Sequence, residues 1–155
     1  MRTRTTMALG VAAATALAIA PQALGAGMGA TQVAQGQSGE REAITPLKLT
    51  DNVPGYQIEA GKRVVCLRVK VRNVGKKTFT EFVGTGAKLR LRGGVTENAS
   101  ITGGGACSSS GTIKLRPGKA TTVNLPYKIR KSDRIVGFQY TASSGFGKNT
   151  PRWSF

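Results

Sequence analysis

Six basic residues, placed at alternate positions of two short segments, have the spacing to bind a polyanion. They are Arg68, Lys70 and Arg72 in the first segment and Lys88, Arg90 and Arg92 in the second. On a β-strand, side chains two positions apart share one face and repeat every ~6.5–7 Å. Phosphates along a polymer can match that spacing, and an arginine can hold a phosphate through two parallel hydrogen bonds. If both segments belong to one sheet, the six cations form a two-row anion-binding patch.

The overall charge of the chain has the same sign as this patch. The chain has 23 Lys and Arg residues against 7 Asp and Glu, for a formal charge of +16. Such a field favours an anionic cell-wall polymer, lipid head groups, an acidic protein or nucleic acid. Each exposed ion pair contributes under about 1 kcal/mol, so binding would be multivalent and sensitive to salt. The alternative interpretation is that alternating Lys and Arg only solubilise strand faces and discourage edge aggregation.

Catalytic chemistry has little support in the residue types. Histidine is absent, and the acids are scattered singly at Glu40, Glu42, Asp51, Glu59, Glu81, Glu97 and Asp133. A hydrolase needs a nucleophile and a base within reach of each other, and the sequence alone brings no two of these carboxylates together. Two distant cysteines do not make a zinc site, and no loop has the several acids that calcium prefers. We therefore expect no catalytic residue, metal ion or cofactor, and a protein that is not an enzyme.

The N-terminal residues have the layout of a secretory signal peptide. Arg2 and Arg4 precede an Ala-rich apolar run over 7–20, and small residues follow it. A run of about 14 apolar residues is shorter than the roughly 20 that span a bilayer, so we expect no transmembrane anchor. Cleavage after Ala26 fits best, and cleavage after Ala30 is the alternative. The product is expected to be secreted to the extracellular space, diffusing or associated with the cell wall.

The chain beyond the signal peptide at 1–26 has the size of one domain. Residues 27–43 are polar and rich in Gly, Gln, Ala and Ser, which predicts a flexible tail. The remaining residues, 44–155, are expected to form the folded domain.

The chain has two cysteines, Cys66 and Cys107. In the oxidising compartment that export implies, one intrachain disulfide is the default. Closing a loop of about 42 residues stabilises a fold by on the order of 4 kcal/mol in the chain-entropy model. Redox-active thiols are the alternative, but they usually need a tight C-x-x-C spacing. We therefore predict a structural bridge that fixes the Gly/Ser-rich loop around Cys107.

Alternating apolar residues indicate a domain built from short strands. The apolar positions between the cations of the first segment are Val65, Leu67, Val69 and Val71. This period of two is typical of a strand with one buried face. Seven to nine such strands at regular spacing predict an antiparallel β-sandwich, in which Pro46 would mark an edge strand and Pro126 an edge strand or a bulge. Trp153 and Phe155 are expected to pack on the core as a last short strand, with an exposed aromatic platform as the alternative.

The order of several motifs resembles a known family. They are Val71-Arg72-Asn73-Val74-Gly75-Lys76-Lys77, then Leu115-Arg116-Pro117-Gly118-Lys119, then Tyr127-Lys128-Ile129 and a final strand over 135–140. This series is similar to the bacterial extracellular immunoglobulin-like domains of unknown function, a fold shared by a secreted mycobacterial immunoprotective antigen. The resemblance covers roughly 44–155 and implies an extracellular immunoglobulin-like sandwich without catalytic activity or an established ligand. Cys107 lies in a loop, so a cross-sheet bridge of the antibody type is not expected.

Two hypotheses for function follow. The first is an interaction module of a bacterial cell envelope that binds an anionic polymer or an acidic partner through a basic sheet face. The alternative is a secreted inhibitor or effector that recognises a protein through disulfide-held loops at 95–111 and 143–150.

Overall fold

The computed structural model describes residues 26–100, 105–108 and 111–155, so the predicted signal peptide, apart from Ala26, lies outside the described residues. Within them the strands are β1 (Gln32–Gln35), β2 (Arg41–Thr50), β3 (Lys62–Asn73), β4 (Phe79–Phe82), β5 (Ala87–Leu91), β6 (Thr96–Asn98), β7 (Thr112–Leu115), β8 (Ala120–Arg130), β9 (Ile135–Tyr140) and β10 (Arg152–Ser154). Two short helical turns are α1 (Val83–Gly86) and α2 (Ala142–Gly145). No helix in this part of the chain has the length and apolar character to cross a membrane.

The strands form two four-stranded sheets that pack face to face. The front sheet has the order β1-β2-β3-β8, the back sheet has the order β10-β9-β5-β6, and β4 pairs with β7 in a separate ribbon. The strand pairs are antiparallel. One continuous apolar core contains side chains from both sheets. The predicted antiparallel β-sandwich is confirmed, with ten strands in the described residues rather than seven to nine.

Strand β3 is the centre of the front sheet, as its alternating pattern predicts. Val65, Leu67, Val69 and Val71 are each 0% exposed and belong to the core. Burying an aliphatic side chain of this size contributes about 1.5–3 kcal/mol. β3 also pairs along most of its length with β2 on one side and β8 on the other. These contacts fix which face of β3 looks outward.

The two strand prolines occupy positions where no ladder hydrogen bond is lost. Pro126 lies on β8, the edge strand of the front sheet, as predicted. Pro46 lies on β2, which is not an edge strand because β1 pairs with it. That pairing ends at Ile44, however, and the carbonyl of Pro46 instead accepts a 2.8 Å hydrogen bond from the amide of Gly29. A register shift follows between Pro46 and Lys48, and proline is tolerated at such bulged positions.

The stretch expected to be a flexible tail is part of the fold, so that prediction is wrong. β1 pairs with the start of β2 in register from Gln32–Ile44 to Gln35–Arg41. Ala34 is 0% exposed, and the carbonyl of Ala30 accepts a 2.7 Å hydrogen bond from the indole Nε1 of Trp153. The segment lacks a long alternating pattern because only a few of its side chains face the core. Cleavage after Ala30 would remove the acceptor of this indole, whereas cleavage after Ala26 would retain it.

Trp153 anchors the last strand in the core. Its side chain is 0% exposed, and its ring centroid lies 5.2 Å from that of Phe138 on the neighbouring β9. The prediction of a buried terminal strand is confirmed for Trp153, and the alternative of an exposed platform is wrong for it. Phe155, by contrast, is 38% exposed.

Two of the sequence motifs meet at Asn73, the last residue of β3. Its amide donates to the carbonyls of Lys77 and Leu115, both at 2.8 Å, and its Oδ1 accepts from the amide of Gly75 at 2.9 Å. Its backbone carbonyl accepts from Gly118, which has a positive φ of 77° that suits glycine in the Pro-Gly turn. Asn73 is 0% exposed. It therefore closes the turn after β3 and fastens that turn to the loop between β7 and β8.

Replacing Asn73 with alanine is expected to lower the free energy of unfolding by about 2–3 kcal/mol, because one buried and one part-buried carbonyl lose their donor. Chemical denaturation at neutral pH measures the effect. Thr122→Ala, on an exposed position of β8, is the control and should change the free energy by less than about 0.5 kcal/mol. Equal unfolding midpoints for the two variants would contradict the role assigned to Asn73.

Candidate anion-binding surfaces

Three of the predicted cations lie side by side on the outer face of the front sheet. Arg68, Lys70 and Arg72 are exposed and alternate with the core residues of β3. Lys48 on β2 is also exposed and pairs with Arg68 across the strands. We call Lys48, Arg68, Lys70 and Arg72 the basic stripe.

The basic stripe runs over a flat surface. Its cross-strand neighbours are small or polar residues, namely Ala43, Thr45, Ala120, Thr122 and Asn124. The ion pairs in the described part of the chain join Lys62 to Glu59 and Arg63 to Asp51, so no residue of the stripe takes part in one. An external anion could therefore approach the stripe without displacing a carboxylate of the protein.

A disulfide-held loop covers the other half of the same face. The predicted bridge between Cys66 and Cys107 is present, and Cys107 is 0% exposed. Val53, Val64 and Cys107 form a second apolar cluster, separate from the main core, with Tyr56 packed against it. The Tyr56 hydroxyl donates to the carbonyl of Cys107 and accepts from its amide at 3.1 Å. The bridge thus fastens a loop to the outside of the front sheet, next to the basic stripe.

The predicted two-row patch of six cations is wrong. Lys88 and Arg90 lie on β5 in the back sheet, and Arg92 follows β5 directly. The two sheets bury their inner faces against each other, so the outer faces of β3 and β5 point in opposite directions. β4 and α1 carry the chain from one sheet to the other between the two segments. The six residues are therefore divided into two groups of three on opposite sides of the molecule.

The acidic residues all lie away from the basic stripe. Asp51 and Glu59 are in the ion pairs, Asp133 accepts a hydrogen bond from the amide of Arg130, and Glu40 accepts one from the amide of Ser38. Glu97 pairs with the core residue Leu89 and so shares the inner side of the back sheet. The remaining two, Glu42 and Glu81, are buried.

Glu42 and Glu81 form a buried cluster that the sequence analysis above did not identify. Glu42 is 0% exposed, and its Oε2 accepts a 2.7 Å hydrogen bond from the hydroxyl of Tyr140. Glu81 is 7% exposed, and its Oε1 accepts from the amide of Ser144 at 2.8 Å. The sequence contains a pattern that could have identified them. Glu42 lies two positions before the core residue Ile44 and Glu81 two positions after Phe79, so each shares the inward face of its strand.

Glu42 is held in its protonated form. Burial raises the pKa of Glu42 most strongly, and a hydrogen bond to Glu81 and the negative charge of Glu81 raise it further, to about 9. Oε1 of Glu42 has no hydrogen-bond partner in the described chain. A proton on Glu42 lowers the cost of burying this carboxyl group close to Glu81. Burial also raises the pKa of Tyr140 well above its usual value. The cluster therefore lies beneath the surface and keeps a proton on Glu42.

The two loops of the alternative hypothesis lie at opposite ends of β5. The carbonyl of Val95 accepts a hydrogen bond from the amide of Leu91 at one end, whereas the amide of Thr141, just before the second loop, donates to the carbonyl of Gly86 at the other. The bridge holds the first of these loops, of which 101–104 and 109–110 are outside the described residues. The second is held by hydrogen bonds to the β1 region instead, including Lys148 to Gln35 at 2.7 Å. The prediction that the disulfide holds the loop at 143–150 is therefore wrong.

Comparisons with known proteins identify the fold. No protein-family model and no curated protein matches the sequence. Among solved structures, MPT63, a secreted protein from Mycobacterium tuberculosis, superposes with a TM-score of 0.64 at 13% identity, over 88% of this chain and 100% of that one. An uncharacterised β-sandwich protein from Clostridium difficile gives 0.50 at 11% identity, over 85% and 93%.

A putative lipoprotein from Bacillus subtilis gives a TM-score of 0.59 at 14% identity, covering 81% of this chain and 38% of its own. These structural neighbours are bacterial secreted, lipoprotein or uncharacterised β-sandwich proteins. The predicted resemblance to extracellular immunoglobulin-like sandwiches of unknown function is thus confirmed at the level of the fold.

Proposed function

We propose that this chain is an extracellular, non-enzymatic interaction module that docks on an anionic polymer of the bacterial cell wall through the basic stripe. The observation that carries the proposal is the set of four cations without ion pairs on one flat, open half of the front sheet. Each contact with the polymer contributes under about 1 kcal/mol, so several must act together. Docking of this kind is reversible and weakens with salt.

Two further observations support the proposal. The secreted and lipoprotein character of two structural neighbours is in line with an extracellular location. The Glu42–Glu81 pair is buried, so it supports a structural rather than a catalytic role for these carboxyls. A flat surface of arginines and lysines suits a repeating polymer better than a single small molecule, because a small ligand needs a concave site.

Retention on purified cell-wall polymer, measured at low and high salt, tests the proposal. Changing Arg68, Lys70 and Arg72 together to Gln should weaken binding by about tenfold or more, since three contacts of a few tenths to 1 kcal/mol are lost. It should also flatten the dependence of affinity on salt, because fewer counterions are released.

The matched control removes the same charge elsewhere, by changing the exposed residues Lys114, Lys131 and Lys148 to Gln. This control should bind within about twofold of the wild type if position matters more than net charge. Equal losses in the two triple variants, or retention that neither salt nor the stripe substitutions affect, would refute docking through the stripe.

Phe146 favours a second candidate function, recognition of a protein through the loop at 143–150. This side chain is 70% exposed although its loop is fastened by Gln35, Gln37 and Glu81 through hydrogen bonds. An exposed aromatic residue on an ordered loop is a typical anchor for a protein partner. Capture of a protein that survives high salt and the stripe substitutions, but is lost with Phe146→Ser, would favour this candidate over polymer docking.

A further inference from the structure

A hollow on the outer face of the back sheet brings together three arginines. Its volume is about 350 Å³, and its charged lining residues are Arg90, Arg92 and Arg152. Arg90 belongs to β5, Arg92 to the turn after β5, and Arg152 to β10. We propose that this hollow binds a single terminal phosphate group, either free or as the monoester of a small organic molecule or a lipid. The site is distinct from the basic stripe, which lies on the opposite sheet.

Strand register places Arg90 across the sheet. Arg90 pairs with Gly137 of β9, which in turn pairs with Ser154 of β10. A Cβ at Gly137 would lie 2.0 Å from the carbonyl oxygen of Trp153, so glycine lets β10 approach closely, and Nη1 of Arg90 lies 3.3 Å from the same position. Nη1 of Arg90 also donates to the carbonyl of Trp153 at 3.4 Å. The guanidinium is thus held in place before any ligand arrives, which lowers the entropy cost of binding.

Neutral donors complete the lining. Gln139 pairs with Arg152 across β9 and β10, and Thr96 pairs with Arg90 across β5 and β6. Both line the hollow. An amide and a hydroxyl can donate to phosphate oxygens that the arginines leave free. Guanidinium groups bind phosphate through paired hydrogen bonds, and three positive charges suit a phosphate dianion better than a carboxylate monoanion.

The absence of acids distinguishes this hollow from its neighbours. Arg92 also lines two adjacent hollows, but one of these contains Asp51 and Asp133 and the other contains Glu97 and Asp133. A carboxylate in the lining would repel an anion. The hollow over Arg90 has no acidic residue in its lining, and Glu97 is directed to the inner side of the sheet through its pairing with Leu89. The charge of this hollow is therefore entirely positive.

Titration of the isotope-labelled protein with inorganic phosphate, at constant ionic strength, tests the proposal by NMR. The side-chain Nε–Hε signals of Arg90, Arg92 and Arg152 and the backbone signal of Gly137 should shift and saturate. Arg152→Gln should raise the dissociation constant by about tenfold, the effect of one lost hydrogen bond to a charged group. Arg92→Gln should do the same, and neither exposed residue supports the fold through a described hydrogen bond from its side chain.

Arg116→Gln, at an exposed position between β7 and β8, is the matched control and should leave the constant within about twofold, because Arg116 belongs to neither the hollow nor the basic stripe. Shifts that do not saturate, or equal weakening by Arg116→Gln and Arg152→Gln, would overturn the proposal. Sedimentation with vesicles that contain phosphatidic acid, whose head group is a terminal phosphate monoester, identifies the source of the group. Co-sedimentation that Arg152→Gln abolishes supports a lipid phosphate, and phosphate binding without co-sedimentation supports a free phosphate or a soluble ester. The basic stripe is intact in these variants. A negative result for phosphate binding would therefore not affect the proposal that the stripe docks on a polymer, which the retention experiment tests separately.

Discussion

Changing Cys66 and Cys107 together to alanine is expected to lower the free energy of unfolding by about 4 kcal/mol. The bridge joins residues 41 apart, and its loss restores the conformational freedom of that loop in the unfolded chain. Because both cysteines are bridged, reduction of the wild type should produce a similar loss. Denaturant unfolding of the oxidised protein, the reduced protein and the double variant measures the effect.

Tyr56→Phe separates the bridge from the contacts around it. This variant keeps the disulfide but removes the two hydrogen bonds between the Tyr56 hydroxyl and the backbone of Cys107. We expect a loss of about 1–3 kcal/mol, smaller than that of the double variant. If reduction left the unfolding midpoint of the wild type unchanged, the second apolar cluster would hold the loop without the bridge, and the stabilising role of the disulfide would be wrong.

The faces of the strands could be predicted from the sequence because the period of two is a local property. Arg68 and Lys70 look outward and Leu67 and Val69 inward, as the alternation requires. Membership of a sheet is not local. The segment with Lys88 has the same alternation, yet it joins the other sheet because β4 and α1 carry the chain across. An alternating pattern therefore predicts a basic face without predicting which other basic face lies beside it.

The pairing of distant strands, which no local pattern predicts, also explains the features that the sequence did not reveal. Arg152 reaches the hollow near Arg90 because β5 and β10 pair with opposite sides of β9. This brings together two residues that are 152 − 90 = 62 positions apart in sequence. Gly137 has no side-chain chemistry of its own, but the absence of a Cβ makes room for the carbonyl of Trp153, which accepts from Arg90. Three-residue strands such as β6 and β10 have too few positions for a pattern to be read.

For the buried carboxyl pair, the alternation of inward and outward positions predicts that each acid faces the core but does not predict that the two acids meet. Glu42 and Glu81 share the parity of core neighbours, so a sequence pattern can indicate two inward-facing acids. Only the packing of β2, β4 and β9 brings both to Tyr140 and to each other. An inward acid without a base is expensive unless it is protonated or hydrogen-bonded. The structure meets this requirement by protonation, and that has a consequence for stability.

The stability of the protein is expected to fall as the pH rises from about 5 to 9, and Glu42→Gln should remove much of the fall. The pKa of Glu42 is about 9 in the folded state, against an ordinary value of 4.5 in the unfolded chain. Between these values the folded state binds more protons, so its advantage is complete below pH 4.5 and is lost as the pH rises through 9. Glutamine keeps an acceptor for Tyr140 and has a permanent donor for Glu81, and it cannot ionise.

Denaturant unfolding of the wild type and Glu42→Gln at pH 5.5 and pH 9 measures this linkage. The difference in unfolding free energy between them should change by on the order of 2–4 kcal/mol in favour of the variant, since one proton contributes up to about 1.4 kcal/mol per pH unit. Glu81→Gln is the informative companion, because removing the neighbouring charge should lower the pKa of Glu42 and weaken the pH dependence. Parallel pH profiles for the wild type and Glu42→Gln would show that Glu42 is ionised in the fold, with its charge balanced by a group that the Tyr140 and Ser144 contacts do not include.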